Sequence, residues 1–97
     1  MKTLQLNLHK KWFDMILSGE KREEYRELSD YWKKRMQNVK KNNVRTITFS
    51  NGYAKNRRQI IVSLEYISIR NGIVEWGAER DKACFVLHLG KIITSNC

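Results

Sequence analysis

Leu4, Leu6 and Leu8 are separated by Gln5 and Asn7, the period-two spacing of a strand with one buried face. Directly after it the period changes. Trp12, Phe13, Ile16 and Leu17 form an apolar stripe on a short helix, which Ser18 and Gly19 can end by a left-handed glycine turn. From Glu20 onward the spacing admits two readings. Tyr25, Leu28, Trp32, Met36 and Val39 extend the same helical stripe if Gly19 is an interior residue, at a cost of about 1 kcal/mol. Alternatively the helix breaks, with a short strand over residues 22–26 and a second helix over residues 30–40. The break is preferred, because Ser29 and Asp30 suit a helix start and the later Lys and Arg suit its end. Beyond the polar run Lys40–Asn43, the segments Val44–Phe49, Gln59–Ile69 and Ala83–Ile93 are rich in Ile, Val, Phe and Thr and predict three more strands. In the last, Phe85, Leu87 and Leu89 alternate with Val86 and His88, giving one core face and one mixed face. Short strands interrupted by two helices predict an α+β fold, either a small β-barrel or a curved mixed sheet with two flanking helices. Closing the sheet would remove its exposed edges.

Composition narrows the classes. The 97 residues contain no proline, and no linker or internal repeat divides them, so a single domain over residues 1–97 is expected. At 41% hydrophobic residues the chain can bury one core without crosslinks. Cys84 and Cys97 give neither a disulfide framework nor a zinc spacing, and the N-terminus lacks a signal-type apolar region, so a cytoplasmic protein is expected. His9 and His88 do not combine with the cysteines at ligand spacing, and no glycine-rich phosphate loop is present; neither metal nor cofactor is implied. The apolar runs are far shorter than the roughly 20 residues that cross a bilayer, so no membrane partner is expected. The net charge of +9 is unevenly placed: residues 1–58 hold 15 Lys and Arg against 6 Asp and Glu, and residues 59–97 hold 4 against 4. Such a field draws polyanions over roughly 8 Å, making RNA, DNA or a phosphorylated small molecule the natural partner class.

The stretch GEKREEYR, Gly19 to Arg26, fits the pattern GxKxxExR with Gly19, Lys21, Glu24 and Arg26 in register, directly after WFDMILS. Together with the basic helix that follows, the FSNGY loop (Phe49–Tyr53), the EWGAE segment (Glu75–Glu79) and CFVLHLGKI (Cys84–Ile92), it resembles an ASCH domain of the PUA-like superfamily over nearly the whole chain. The resemblance implies a small PUA-like β-barrel with helices filling its ends, and it supports the break at Gly19. Lys21 would then leave the turn beside the barrel opening, while Glu24 and Arg26, two apart on one strand, would face the same side and Tyr25 the other. Proteins of this superfamily are usually RNA-binding or RNA-modifying modules. Some ASCH proteins resemble ribonucleases, or amidohydrolases acting on an acylated cytidine nucleoside. The amidohydrolase branch has a threonine where this chain has Glu24, and uses a later glutamate, for which Glu79 is the first candidate and Glu65 and Glu75 the next.

Two chemistries suit these side chains. A charged Lys21 and Arg26 would grip a phosphate or an oxyanion, Arg26 through its fork and Lys21 as a point charge. A Lys21 neutralised by desolvation would serve as base or nucleophile, with Glu24 opposing that shift. The plain alternative is a surface ion pair of Glu24 with Arg26, contributing at most about 1 kcal/mol. Tyr53 beside Lys55, Arg57 and Arg58 suits a base stacked over a held backbone, or an ordinary basic hairpin loop. Trp76 suits stacking or a core plug, and Lys33, Lys34, Lys40 and Lys41 line the polar side of the second helix. Three functions follow: an RNA- or nucleotide-binding module; a small hydrolase using Lys21, Glu24, Arg26 and Glu79; or a protein-interaction module meeting an acidic partner.

Overall fold

Five strands form one mixed sheet in the order β1-β3-β4-β5-β2, seen in a computed structural model that describes residues 2–96; Cys97 lies outside them. The elements are β1 (Leu4–Leu8), α1 (Lys10–Leu17), β2 (Glu23–Arg26), α2 (Asp30–Lys41), β3 (Thr46–Asn51), β4 (Arg58–Asn71) and β5 (Ala83–Asn96), with a 3-10 turn over Val74–Trp76. β1 and β3 are parallel, and the other neighbours are antiparallel. The architecture is the expected α+β type, a curled half-barrel with two flanking helices. Its concave side is filled by Leu4, Leu6 and Leu8, by Ile47 and Phe49, and by Leu87 and Leu89, against which α1 packs Phe13 and Ile16 and α2 packs Met36 and Val39.

The chain does break at Gly19. This residue takes φ +87°, its amide donates to the Ile16 carbonyl at 3.0 Å, and the Lys21 amide donates to Met15 at 2.9 Å. Those two bonds satisfy carbonyls at the end of α1 and turn the chain into β2. Ser29 caps α2 by accepting the Trp32 amide at 3.2 Å, Asp30 stands in the first turn, and Lys40 and Lys41 in the last, as the helix dipole favours. β3 starts at Thr46 rather than Val44, because Asn43 adopts φ +54° and the Val44 amide is still tied to Val39 at 3.0 Å. β4 and β5 run past their predicted ends to Asn71 and Asn96. There Arg70 and Asn71, and Thr94, Ser95 and Asn96, extend the ladder through polar residues, where hydrophobic patterning is silent.

The sheet curls but its edges do not join through a backbone ladder. Register shifts in β4 between Ile61 and Tyr66 add the bend and twist that bulges bring. β1 and β2 remain the outer strands, and side chains span the seam between them. The Arg26 Nη2 donates to the Asn7 carbonyl at 3.4 Å, and the Arg35 Nη2 of α2 donates to the Gln5 carbonyl at 3.3 Å. Two carbonyls on one edge of β1 are thus occupied by guanidinium groups from β2 and α2. Among the described residues, no helix is long and apolar enough to cross a membrane.

A Cβ at position 19 would meet no atom within 4 Å, so a substitution there tests backbone conformation alone. Gly19→Ala should cost about 1–2 kcal/mol from the left-handed geometry, read as a lower urea midpoint with an unchanged slope. A fully wild-type midpoint would show that the turn does not depend on glycine.

Candidate functional site at the seam

Lys21, Glu24 and Arg26 meet where β2 approaches β1. Glu24 and Arg26 lie two residues apart on β2, pairing with Leu87 and Phe85 of β5, so strand geometry sends both side chains toward the seam. Lys21, in the turn before β2, points inward, and its side chain has 0% exposure. An ammonium can be held there only with its donors occupied. One bond goes to the Trp76 carbonyl at 2.5 Å, and Glu24 Oε1 lies 3.1 Å away. The remaining surroundings are aromatic, the Tyr25 ring centre at 4.7 Å and the Trp12 ring centre at 5.4 Å, both within cation–π range. Burial pulls the Lys21 pKa below its usual value, opposed chiefly by the Glu24 carboxylate.

The second carboxylate oxygen, Glu24 Oε2, accepts from Arg26 Nη2 at 2.7 Å. The guanidinium in turn lies 5.0 Å from the ring centre of Trp32. Its Nε is buried and has no hydrogen-bond partner. Asn7, His9, Trp12, Glu24, Arg26 and Trp76 surround a pocket of about 250 Å³. A second hollow of about 300 Å³ continues along β1 from Asn7 to Gly52, Tyr53 and Arg57. The site is therefore a cationic, aromatic groove following the free edge of β1.

The remaining sequence candidates divide by location. Trp76 lines the pocket and supplies the Lys21 acceptor. Tyr53 is 89% exposed at the far end of the groove, and Arg57 lines that end while donating to the Ala54 carbonyl at 3.3 Å. Lys55 is exposed on the same loop. Arg58 is committed to the scaffold, with Asp14 at 2.8 Å and the Phe13 ring centre at 4.6 Å. Lys34 is exposed on α2, and Lys33 lines a different hollow, between α2 and β4. Glu79 is exposed, pairs with Lys82 at 3.2 Å, and borders a depression on the other side of Arg26. Glu65 and Glu75 are exposed and line neither the pocket nor that depression.

Sequence reasoning missed Trp12, Asn7 and Arg35. The spacing places Trp12 in the apolar stripe, yet it sits one position from Phe13, about 100° around the helix, at the margin of the buried face. That offset was the available signal. Tyr25 only partly follows strand alternation. Its hydroxyl reaches the outer face, donating to Glu23 Oε1 at 2.8 Å and accepting from the Ile73 amide at 3.0 Å, while its ring covers Lys21.

The outer face of the sheet carries a second polar group. His88 Nε2 lies 2.8 Å from Ser68 Oγ, Nδ1 lies 3.7 Å from Glu23 Oε2, and the imidazole stacks on Tyr66 at 3.9 Å. Glu23 also pairs with Arg70. Burial lowers the His88 pKa, with Glu23 opposing and Arg70 adding to the shift. Cys84 is buried, and desolvation raises its thiol pKa. Among the described residues, no group of three or more His, Cys, Asp or Glu side chains could hold a metal ion.

Comparison of the chain with protein-family models, curated proteins and solved structures returns no match.

Two outcomes are expected from this geometry. Lys21→Met should lower stability by about 3 kcal/mol, because it strands Glu24 with one partner. Adding Glu24→Gln should cost less than the sum of the two single changes, with a coupling of about 1–3 kcal/mol in a double-mutant cycle; strict additivity would separate the two residues. His88 provides the pH test. Its folded-state pKa lies below the unfolded 6.5, so the unfolded chain takes up the proton first, and the His88 share of stability is lost as pH falls through and below 6.5. The drop in urea midpoint between pH 7.5 and 5.5 should shrink in His88→Asn; an unchanged drop would clear His88.

Proposed function

We propose that the chain is an RNA- or nucleotide-binding module of the ASCH type. In this reading a base enters the seam pocket between Trp12 and Trp76, and the strand continues along β1 toward Tyr53 and Arg57. The observation that carries it is the buried Arg26 Nε–H, which has no partner beside a pocket of about 250 Å³. A buried donor left unpaired costs about 1–3 kcal/mol, and because the Arg26 side chain keeps 19% exposure, a small turn of the guanidinium would bring this N–H to a phosphate or base oxygen in the pocket. Glu24 and Trp32 hold the guanidinium beforehand, so little ordering is left for the ligand to impose. The excess positive charge of residues 1–58 supplies the long-range attraction. Tyr53, exposed at the groove's far end, offers a stacking surface whose affinity for bases does not depend on their identity.

The fully covered ammonium of Lys21 favours binding over hydrolysis. A base or nucleophile must reach the substrate within hydrogen-bond range, and Lys21 would first have to leave Trp76 and Glu24. Its role in this proposal is to position Glu24, and through it Arg26.

Anisotropy titration of a labelled single-stranded RNA oligonucleotide against salt tests the reading. Log affinity should fall linearly with log salt concentration, and Arg57→Ala should reduce the slope by about 0.7, as for one lost single-strand phosphate contact. Arg26→Gln should weaken binding by about tenfold or more, the loss of a charge-assisted contact. Salt-independent affinity, or wild-type binding by Arg26→Gln, would overturn the proposal.

A further inference from the structure

β4 is paired with β5 along its length to Asn71, but with β3 only as far as Ser63. One further bond joins the Leu64 amide to the Arg45 carbonyl at 2.8 Å. Beyond it, among the described residues, no strand pairs with Glu65–Asn71 on the β3 side. Seven residues of strand, about 23 Å at the usual rise, thus present an open edge. That edge borders the largest hollow described, about 670 Å³, whose opposite wall is α2 and the segment 43–45. An edge strand of this length is normally shortened, charged or covered, because its free N–H and C=O groups recruit other strands. This edge carries Ile69 at 60% exposure.

The side chains around the hollow indicate what would cover it. Met36, Val44, Ile67 and Phe85 give it apolar walls, while Lys33, Lys40 and Arg45 stand against one carboxylate, Glu65. A second copy of this chain would bring the same three cations to the groove on a molecule already at +9, an unfavourable pairing. Nucleic acid would find Tyr66, 59% exposed but with one ring face taken by His88, as a stacking surface, yet it would leave the apolar walls of Met36, Val44 and Ile67 uncovered and the free N–H and C=O groups of the edge without a ladder partner. An extended peptide that carries both apolar and acidic side chains among its every-second positions meets all three features. Its backbone continues the sheet, and residues two apart, which share one face, bring apolar groups to the groove walls and carboxylates to Lys33, Lys40 and Arg45.

We propose that the β4 edge beyond Ser63 is a docking site for an extended acidic peptide, which adds as a strand beside Glu65–Asn71. This surface is separate from the seam pocket and does not depend on the nucleic-acid reading.

The test uses the full chain and a fluorescein-labelled nine-residue peptide with valine and glutamate taking turns at the odd positions and threonine at the even ones. Saturable binding is expected, together with slowed amide exchange over residues 65–71. The double change Lys40→Glu/Arg45→Glu, at two exposed positions, should weaken binding at least tenfold at low salt. The same peptide N-methylated on every residue should bind far more weakly, because neither of its edges keeps an N–H to complete the ladder. Absence of saturable binding, equal affinity of the N-methylated peptide, protection confined to residues outside the β4 edge, or displacement of the peptide by single-stranded RNA would overturn the proposal.

Discussion

Burying one ammonium organises this molecule. Taking Lys21 out of water costs several kcal/mol even after relaxation, and the structure offsets that cost with a carbonyl from the Trp76 turn, a carboxylate from β2 and two aromatic faces. Each partner is then constrained in turn. Glu24 is fixed by Lys21 and passes its second oxygen to Arg26, and Arg26 reaches the Asn7 carbonyl across the seam. A lysine enclosed before β2 therefore helps set how the two outer strands of the sheet face each other.

The half-barrel leaves room for this chain of contacts because its edges do not form a ladder. Had β1 and β2 paired, backbone groups would occupy the seam. Instead, side chains from β2 and α2 satisfy the carbonyls of β1, and the gap opens into an aromatic pocket. The same economy appears on the outer face, where Glu23 links Tyr25, Arg70 and the His88 group. One short strand, Glu23–Arg26, thus presents an ion-pair network on each of its two faces.

Much of the scaffold was legible in the sequence, because local physics determines it. Leucine alternation gives β1, Gly19 ends α1, Ser29 caps α2, and the two-residue spacing places Glu24 and Arg26 on one side. The inward turn of Lys21 was not legible, since it depends on a carbonyl at Trp76, far along the chain. Nor was the division of the basic residues. Tyr53 and Lys55 are neighbours of Arg58 in sequence, yet Arg58 is taken up by Asp14 and Phe13, and Lys33 faces a different hollow from Arg57. Charge counts locate an excess of cations but not the surfaces across which folding distributes them. The open edge of β4 follows from its length, 14 residues against the 6 of β3, and part of that overhang lies past the predicted end of β4.

The strand order also fixes when the pocket can exist. β2 is made early, but its ladder partner is β5, so Glu24 finds its neighbour only at Leu87. A nascent chain that has emerged as far as Lys82 holds both helices, β1, β3 and β4, yet its second strand has nothing to pair with. Until β5 arrives, β2 has no ladder to fix the position of the lysine's carboxylate partner. The pocket is consequently a certificate that β5 has been made: a product cut short before it retains every residue of the GxKxxExR motif and lacks the ladder that holds Glu24 and Arg26 in place.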